Sequence, residues 1–257
     1  MTSSLNALAR QLAQLHQSGN PVVLANVYDA ITANALLATP GVKAAATASF
    51  AIAASIGIRD DDLTLEDNLR SIGVVSRALA GKIPLSADLQ DGYGPRLEET
   101  IRSAIGLGVV GCNIEDVYPN SRNLYDLEEA AERVRQVRRV ATECGVPDFV
   151  INARTDALRL GHPREEAIRR GQAYLKAGAD AVFVWAYRKF DHDELRELSK
   201  AFEGRLSVKL GDPGETMSVQ EMADLGVCRV SVGPSMMRKC VETFQKVAGE
   251  LFAGGRL

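Results

Sequence analysis

The chain of 257 residues holds only four cysteines and three histidines. Cys112, Cys144, Cys228 and Cys240 are scattered, with no CxxC pair and no metal-finger spacing. That speaks against a zinc site built on cysteine and fits a reducing compartment. No stretch approaches about 18 apolar residues without a charge, so no membrane-spanning helix is expected. The N-terminal segment MTSSLNALARQLAQLHQSGN lacks a cationic start followed by an apolar run, so it does not read as a secretory signal. Neither sign of charge dominates: 30 Lys and Arg stand against 33 Asp and Glu, a net charge of −3. Such a chain has no electrostatic reason to seek nucleic acid or anionic lipid. The expectation is a cytoplasmic protein with neither nucleic acid nor membrane as partner.

What is present is a regular beat. Short β-rich runs begin at Pro21, Lys43, Ile83, Val109, Phe149, Ala181, Leu206 and Arg229. Several are almost continuously apolar, as strands covered on both faces should be. Amphipathic stretches lie between them. One begins at Asp67 and runs to a glycine stop at Gly81, one begins at Leu127, and one opens on Pro163. Leu5, Leu8, Leu12 and Leu15 mark a further helix at the start. About eight β-then-α units imply a parallel sheet, and eight in this length favour an α/β fold of the closed (β/α)8 TIM type over residues 1–257, as a single domain. An open doubly wound sheet would carry GxGxxG after the first strand, where this chain has NVYDAITANAL.

In such a barrel the active site forms at the C-terminal ends of the strands. The third strand ends SADLQDGYG, with Asp88 and Gln90 on one parity; the fourth delivers Glu115 and Asp116; the fifth places Asn152, Arg154 and Asp156 on one parity; the seventh ends in Lys209, Asp212 and Gly214. Clustered acids repel unless a cation or proton intervenes. Asp88 and Glu115, with Gln90 beside them, suit a hard cation such as Mg²⁺. Arg154 offers a planar fork for a substrate carboxylate. Taken singly, Asp-Gly is a common turn, Glu115 and Asp116 could cap the next helix, and Arg154 could pair with an aspartate for structure alone. Trp185 and Tyr187 end the sixth strand and are candidates for the pocket wall, with core packing the alternative for Trp185. His16, His162 and His192 read as solvated or capping residues.

These residues resemble the isocitrate lyase and phosphoenolpyruvate mutase superfamily over nearly the whole chain. The motifs that carry the likeness are NVYDAITANALLA, TASFAIAASIGIRDDD, SADLQDGYG, GCNIED, INARTDAL, GQAYLKAGADAVFV and RVSVGPSMM, in the family's order. The resemblance implies a barrel assembled as a homo-oligomer, dimer or tetramer, with a C-terminal helix exchanged between subunits. It implies Mg²⁺ and a small anionic 2-oxo or 2-hydroxy carboxylate whose C–C or P–C bond is broken through an enolate. Asp88 matches the direct metal ligand, Glu115 an acid reaching the metal through water, and Arg154 the carboxylate-binding arginine. Thr47, Ala48 and Ser49 match a substrate-holding loop, with Phe50 beside it. A further acid falls on Asp60 or Asp61, and Asp61 is taken. Asn120, Ser121, Trp185 and Ser207 complete the substrate set.

The chain also departs from that pattern. Gln90 stands where many members have a second acid. The KKCGH loop of the isocitrate and methylisocitrate lyases is replaced by EDVYPNSRNLYD. Pro119 is followed directly by Asn120 and Ser121, without the lysine of the P–C mutases, and Ser207 replaces an asparagine. The expected activity is a C–C lyase in which no cysteine acts as general acid and isocitrate is a poor substrate. Proton delivery would then fall to water, Tyr93, Tyr118 or Ser121. A P–C mutase or hydrolase, or a non-catalytic barrel that binds a 2-oxo acid, are the alternatives.

Overall fold

The computed structural model describes residues 2–118, 121–211 and 217–256, with side chains from Ser4 onward. The helices are α1 (Thr2–Leu15), α2 (Ala30–Leu37), α3 (Ser49–Ser55), α4 (Leu65–Leu79), α5 (Leu97–Gly106), α6 (Leu127–Glu143), α7 (Arg164–Lys176), α8 (His192–Ala201), α9 (Val219–Asp224) and α10 (Ser235–Phe252). The strands are β1 (Val22–Val27), β2 (Ala45–Thr47), β3 (Leu85–Asp88), β4 (Gly111–Glu115), β5 (Val150–Thr155), β6 (Ala181–Val184), β7 (Leu206–Lys209) and β8 (Arg229–Ser231). They form a closed parallel barrel in sequence order, β8 pairing back onto β1. This is the expected (β/α)8 fold.

Local chemistry sets the helix ends. The Thr64 hydroxyl accepts the Asp67 N–H, so α4 starts at Leu65, two residues before the run that begins at Asp67. Its left-handed stop is Ala80 at φ +50°, with Gly81 following. Asp126 caps α6, so neither Glu115 nor Asp116 is spent on that task.

One end of the barrel is closed by α1. Leu12 is fully buried, and a Cβ on Gly111 would come within 2.9 Å of its Cδ2 and of the Val150 carbonyl oxygen. The glycine opening β4 therefore lets the plug seat. His16, at the end of this helix, is not the solvated residue expected. Its ring bonds the Leu12 carbonyl through Nδ1 at 2.8 Å and lies 3.4 Å from Arg229. Burial and then the Arg229 charge lower its pKa to about 3, so it is neutral.

Candidate active site

The other end of the barrel opens into a cavity of about 1390 Å³ lined from β1–β8 and the loops that follow them. Asp88, Gln90, Glu115 and Arg154 all line it. So do Thr47, Ala48, Ser49, Phe50, Asp60, Asp61, Ser121 and Trp185. Asn120, with Pro119, and Asp212 and Gly214 lie outside the described residues.

Asp88 is held by its neighbours. Its Oδ2 accepts the Ser49 N–H at 2.9 Å and its Oδ1 the Asn113 amide at 3.3 Å. Its own N–H donates to the Thr47 hydroxyl at 2.9 Å. Ser49 is thus not in a loop but opens α3, presenting a backbone N–H to an anion as helix starts do. Phe50 is half exposed at the rim, under the Arg238 guanidinium.

The turn after β3 is strained. Gln90 and Tyr93 take φ of +51° and +62°, a region unfavourable to residues with a Cβ. Asp91 compensates by accepting the N–H groups of Tyr93 and Gly94, while the Tyr125 hydroxyl donates to it at 2.8 Å. The Gln90 amide nitrogen donates to both the carbonyl and the carboxylate of Asp60, at 2.9 and 3.2 Å. Gln90 therefore spends its amide nitrogen on holding Asp60. The acid of the DDD run that faces Asp88 is Asp60. Asp61 is 60% exposed and pairs with Arg59 at the rim.

These acids strain one another. Burial first, then the Asp88 charge, raises Asp60 to a pKa of about 6. Burial also raises Glu115 well above the usual range. Asp156, Asp88 and Asp60 add to that rise, and Arg154 opposes them. Arg154 reaches Glu115 and Asp156, both at 2.8 Å. Burial works against its charge, but these two carboxylates outweigh it and raise its pKa. Its Nε–H has no partner, so a donor remains for an incoming anion. Its guanidinium lies 5.4 Å from the Trp185 ring centroid. β6 ends at Val184, so Trp185 follows the strand and walls the cavity instead of packing in the core.

Three expected residues fall elsewhere. Ser207 pairs in register with Phe183 and Arg229, is fully buried and does not line the cavity. Tyr93 accepts a hydrogen bond from Asn68 and also stands outside the lining. Asp116 points behind the sheet to Tyr174, Arg170 and the Asp156 N–H. Sequence reasoning missed Asn113, which shares parity with Glu115, and Arg229, which opens β8 on the cavity side. Both signals were available. The cysteines stand apart from the acids: Cys112 and Cys228 are buried, and burial pushes each thiol to about 12. Cys240 is exposed, and none of the four lines the cavity.

Among the described residues no three His, Cys, Asp or Glu side chains converge to ligate one ion. A site closed by protein ligands, as structural zinc has, therefore does not fit. A hard cation that binds through one or two carboxylates and keeps several waters does fit the cluster of Asp60, Asp88 and Glu115.

The phosphoenolpyruvate phosphomutase family profile matches residues 12–252. The chain belongs to this family. It is thereby an enzyme of the isocitrate lyase and phosphoenolpyruvate mutase superfamily, in which C–C or P–C bonds are broken. It is 30% identical to the phosphoenolpyruvate phosphomutase of Streptomyces hygroscopicus over 79% of this chain and 67% of that one. It is 25% identical to the 2-methylisocitrate lyase of Bacillus subtilis over 96% and 82%. A solved structure of phosphonopyruvate hydrolase with oxalate and Mg²⁺ superposes with a TM-score of 0.83 at 25% identity, covering 96% of this chain and 88% of that one.

Proposed function

We propose that the protein is a Mg²⁺-dependent lyase that cleaves a C–C bond of a small 2-oxo or 2-hydroxy carboxylate. The observation that carries this is the crowding of Asp60, Asp88 and Glu115 beside Arg154 on one cavity wall. Burial raises Asp60 and Glu115, and the neighbouring acids raise them further. Such a cluster is stabilised by a cation, and a chelating anion completes the cation's shell.

Asp88 would hold the cation directly and Glu115 through water, with Gln90 fixing Asp60 beside them. When bound, Mg²⁺ supplies the positive charge that stabilises an enolate oxygen. Arg154 orients the substrate carboxylate through donors that Glu115 and Asp156 keep in place. The segment Thr47–Phe50 supplies the Ser49 N–H at the cluster. Trp185 excludes water from one side.

Tyr118 and Ser121 line the cavity and are the hydroxyls for proton delivery; the Tyr118 hydroxyl donates to Glu129. The cysteines are excluded from that role by their positions. The chain works in the cytoplasm as a homo-oligomer. Helix α10 has no buried residue, and Phe244 and Phe252 are 75% and 90% exposed on it. That is the helix to exchange between subunits.

A thermal-shift screen of oxo acids with and without Mg²⁺ tests the binding chemistry, since a ligand of the native state raises apparent stability. A coupled pyruvate assay then separates a lyase from a binder, and phosphorus NMR with phosphonopyruvate detects P–C cleavage. Ligands that bind equally without Mg²⁺ would contradict the proposal.

A further inference from the structure

The barrel interior beneath the acids is unusual. Barrels of this type are mostly filled by Val, Ile and Leu. Here Asn26, Ser86, Asn113, Asn152 and Arg229 line the depth of the cavity, and Ser207 is buried beside Arg229 on the neighbouring strand.

Arg229 is only 2% exposed. The Arg229 guanidinium contacts the Ser86 hydroxyl at 3.2 Å and the neutral His16 ring at 3.4 Å. Neither partner carries charge. Other enclosed arginines behave differently: Arg154 pairs with Glu115 and Asp156, Arg170 with Asp116 and Glu166, and Arg133 with Asp91. Arg229 makes no ion pair with any described carboxylate. Burial lowers its pKa only to about 10, so it is a cation at neutral pH. Asp88 acts on it only from beyond ion-pair distance, and a buried charge without a direct partner is costly.

Two donors at this place also lack acceptors, the Arg229 Nε–H and the Ser207 hydroxyl, and their strands are paired at these residues. The Asn152 Oδ1 is likewise without a partner, while its amide nitrogen donates to Asn113, which in turn donates to Asp88. A path from the rim reaches this depth, since Arg229 lines the same cavity as Asp88.

We propose that the barrel floor is a second anion site, in which Arg229 holds a small monovalent anion of the halide or formate class below the acid cluster. The anion supplies a direct counter-charge, which Asp88 gives Arg229 only from beyond ion-pair distance, and it accepts the idle Nε–H. The site is separate from the carboxylate-binding role of Arg154 and does not depend on the proposed reaction.

The experiment uses the full chain without added divalent cation. Crystals grown in a salt of bulky organic anions are soaked in sodium bromide, and anomalous density is measured. The expected result is a bromide peak within hydrogen-bond distance of the Arg229 Nε, displaced by excess sodium formate. Density there that carries no anomalous signal at saturating bromide identifies a water and overturns the proposal. A bromide peak that formate does not displace narrows the site to halides. That outcome also contradicts the class proposed.

In solution, bromide should raise the melting temperature of the wild type by about 2–4 °C more than that of Arg229→Met at equal ionic strength. Equal shifts in both proteins overturn the proposal. The variant is expected to fold, because replacing an uncompensated buried charge by an apolar chain of similar length is often neutral or stabilising. If it does not fold, the crystallographic result decides alone.

Discussion

Glu115 and Asp116 are consecutive acids at the end of one strand, yet they belong to different regions of the molecule. Glu115 faces the cavity among Asp60, Asp88 and Asp156, with Arg154 opposing them. Asp116 faces the helix layer, where the Tyr174 hydroxyl, Arg170 and the Asp156 N–H saturate it. Burial raises the pKa of both. The difference lies in what surrounds them. Behind the sheet both oxygens of Asp116 meet donors. In the cavity acids meet acids, and the arrangement calls for a cation. Perturbed ionisation alone marks both residues; only the unbalanced one marks a site for chemistry.

That contrast can be broken from either side. The largest effect is expected at Asp88, the proposed direct ligand. Asp88→Ala should lower Mg²⁺-dependent turnover on the order of 10³-fold, once a substrate is found, while the melting temperature stays close to wild type. Steady-state kinetics and calorimetric melting measure the two halves of this claim. Asp116→Ala should do the reverse. It strands Tyr174, part of Arg170 and the Asp156 N–H, costing about 3–5 kcal/mol of stability. Urea unfolding should show that loss, with Mg²⁺-dependent ligand binding retained by the folded fraction.

A smaller effect belongs to Asp60. Its pKa in the fold, about 6, is above the ordinary 3.8, so the native state holds the proton more tightly than the unfolded chain. Its ionisation therefore costs the metal-free protein stability above about pH 6, and the cost fades as pH falls from about 6 towards 4. Asp60→Asn should raise the metal-free melting temperature by about 2–4 °C at pH 8 and leave it unchanged near pH 4. A rise of equal size at both pH values would assign the effect to something other than charge.

The smallest effect concerns the cysteines. A variant with all four changed to Ala or Ser should keep turnover within about two-fold, with a modest loss of stability from the buried Cys112 and Cys228. Loss of turnover in a variant that still folds and binds ligand would show that a thiol delivers the proton.

Much of this was legible in the sequence because it rests on periodicity. Parity along β3, β4 and β5 placed Asp88, Glu115 and Arg154 at one rim, and the apolar runs announced a two-sided sheet. Three features escaped for physical reasons. The DDD run at residues 60–62 forms a short 3₁₀ turn with no apolar period, so nothing in the pattern distinguishes the inward Asp60 from the exposed Asp61. Ser207 sits one register step below the rim, and the depth of a barrel side chain depends on strand stagger, which composition does not encode. His16 was misjudged because its ring meets Arg229, which is 213 residues away in sequence.

The central claim is that the unbalanced acids of the cavity bind a divalent cation together with a chelating carboxylate. Titration calorimetry of oxalate into the wild-type protein, with and without Mg²⁺, tests it most directly. The account predicts saturable binding only when Mg²⁺ is present, absent from Asp88→Ala and preserved in Asp116→Ala. Oxalate that binds equally well without Mg²⁺, or with unchanged affinity to Asp88→Ala, would contradict it.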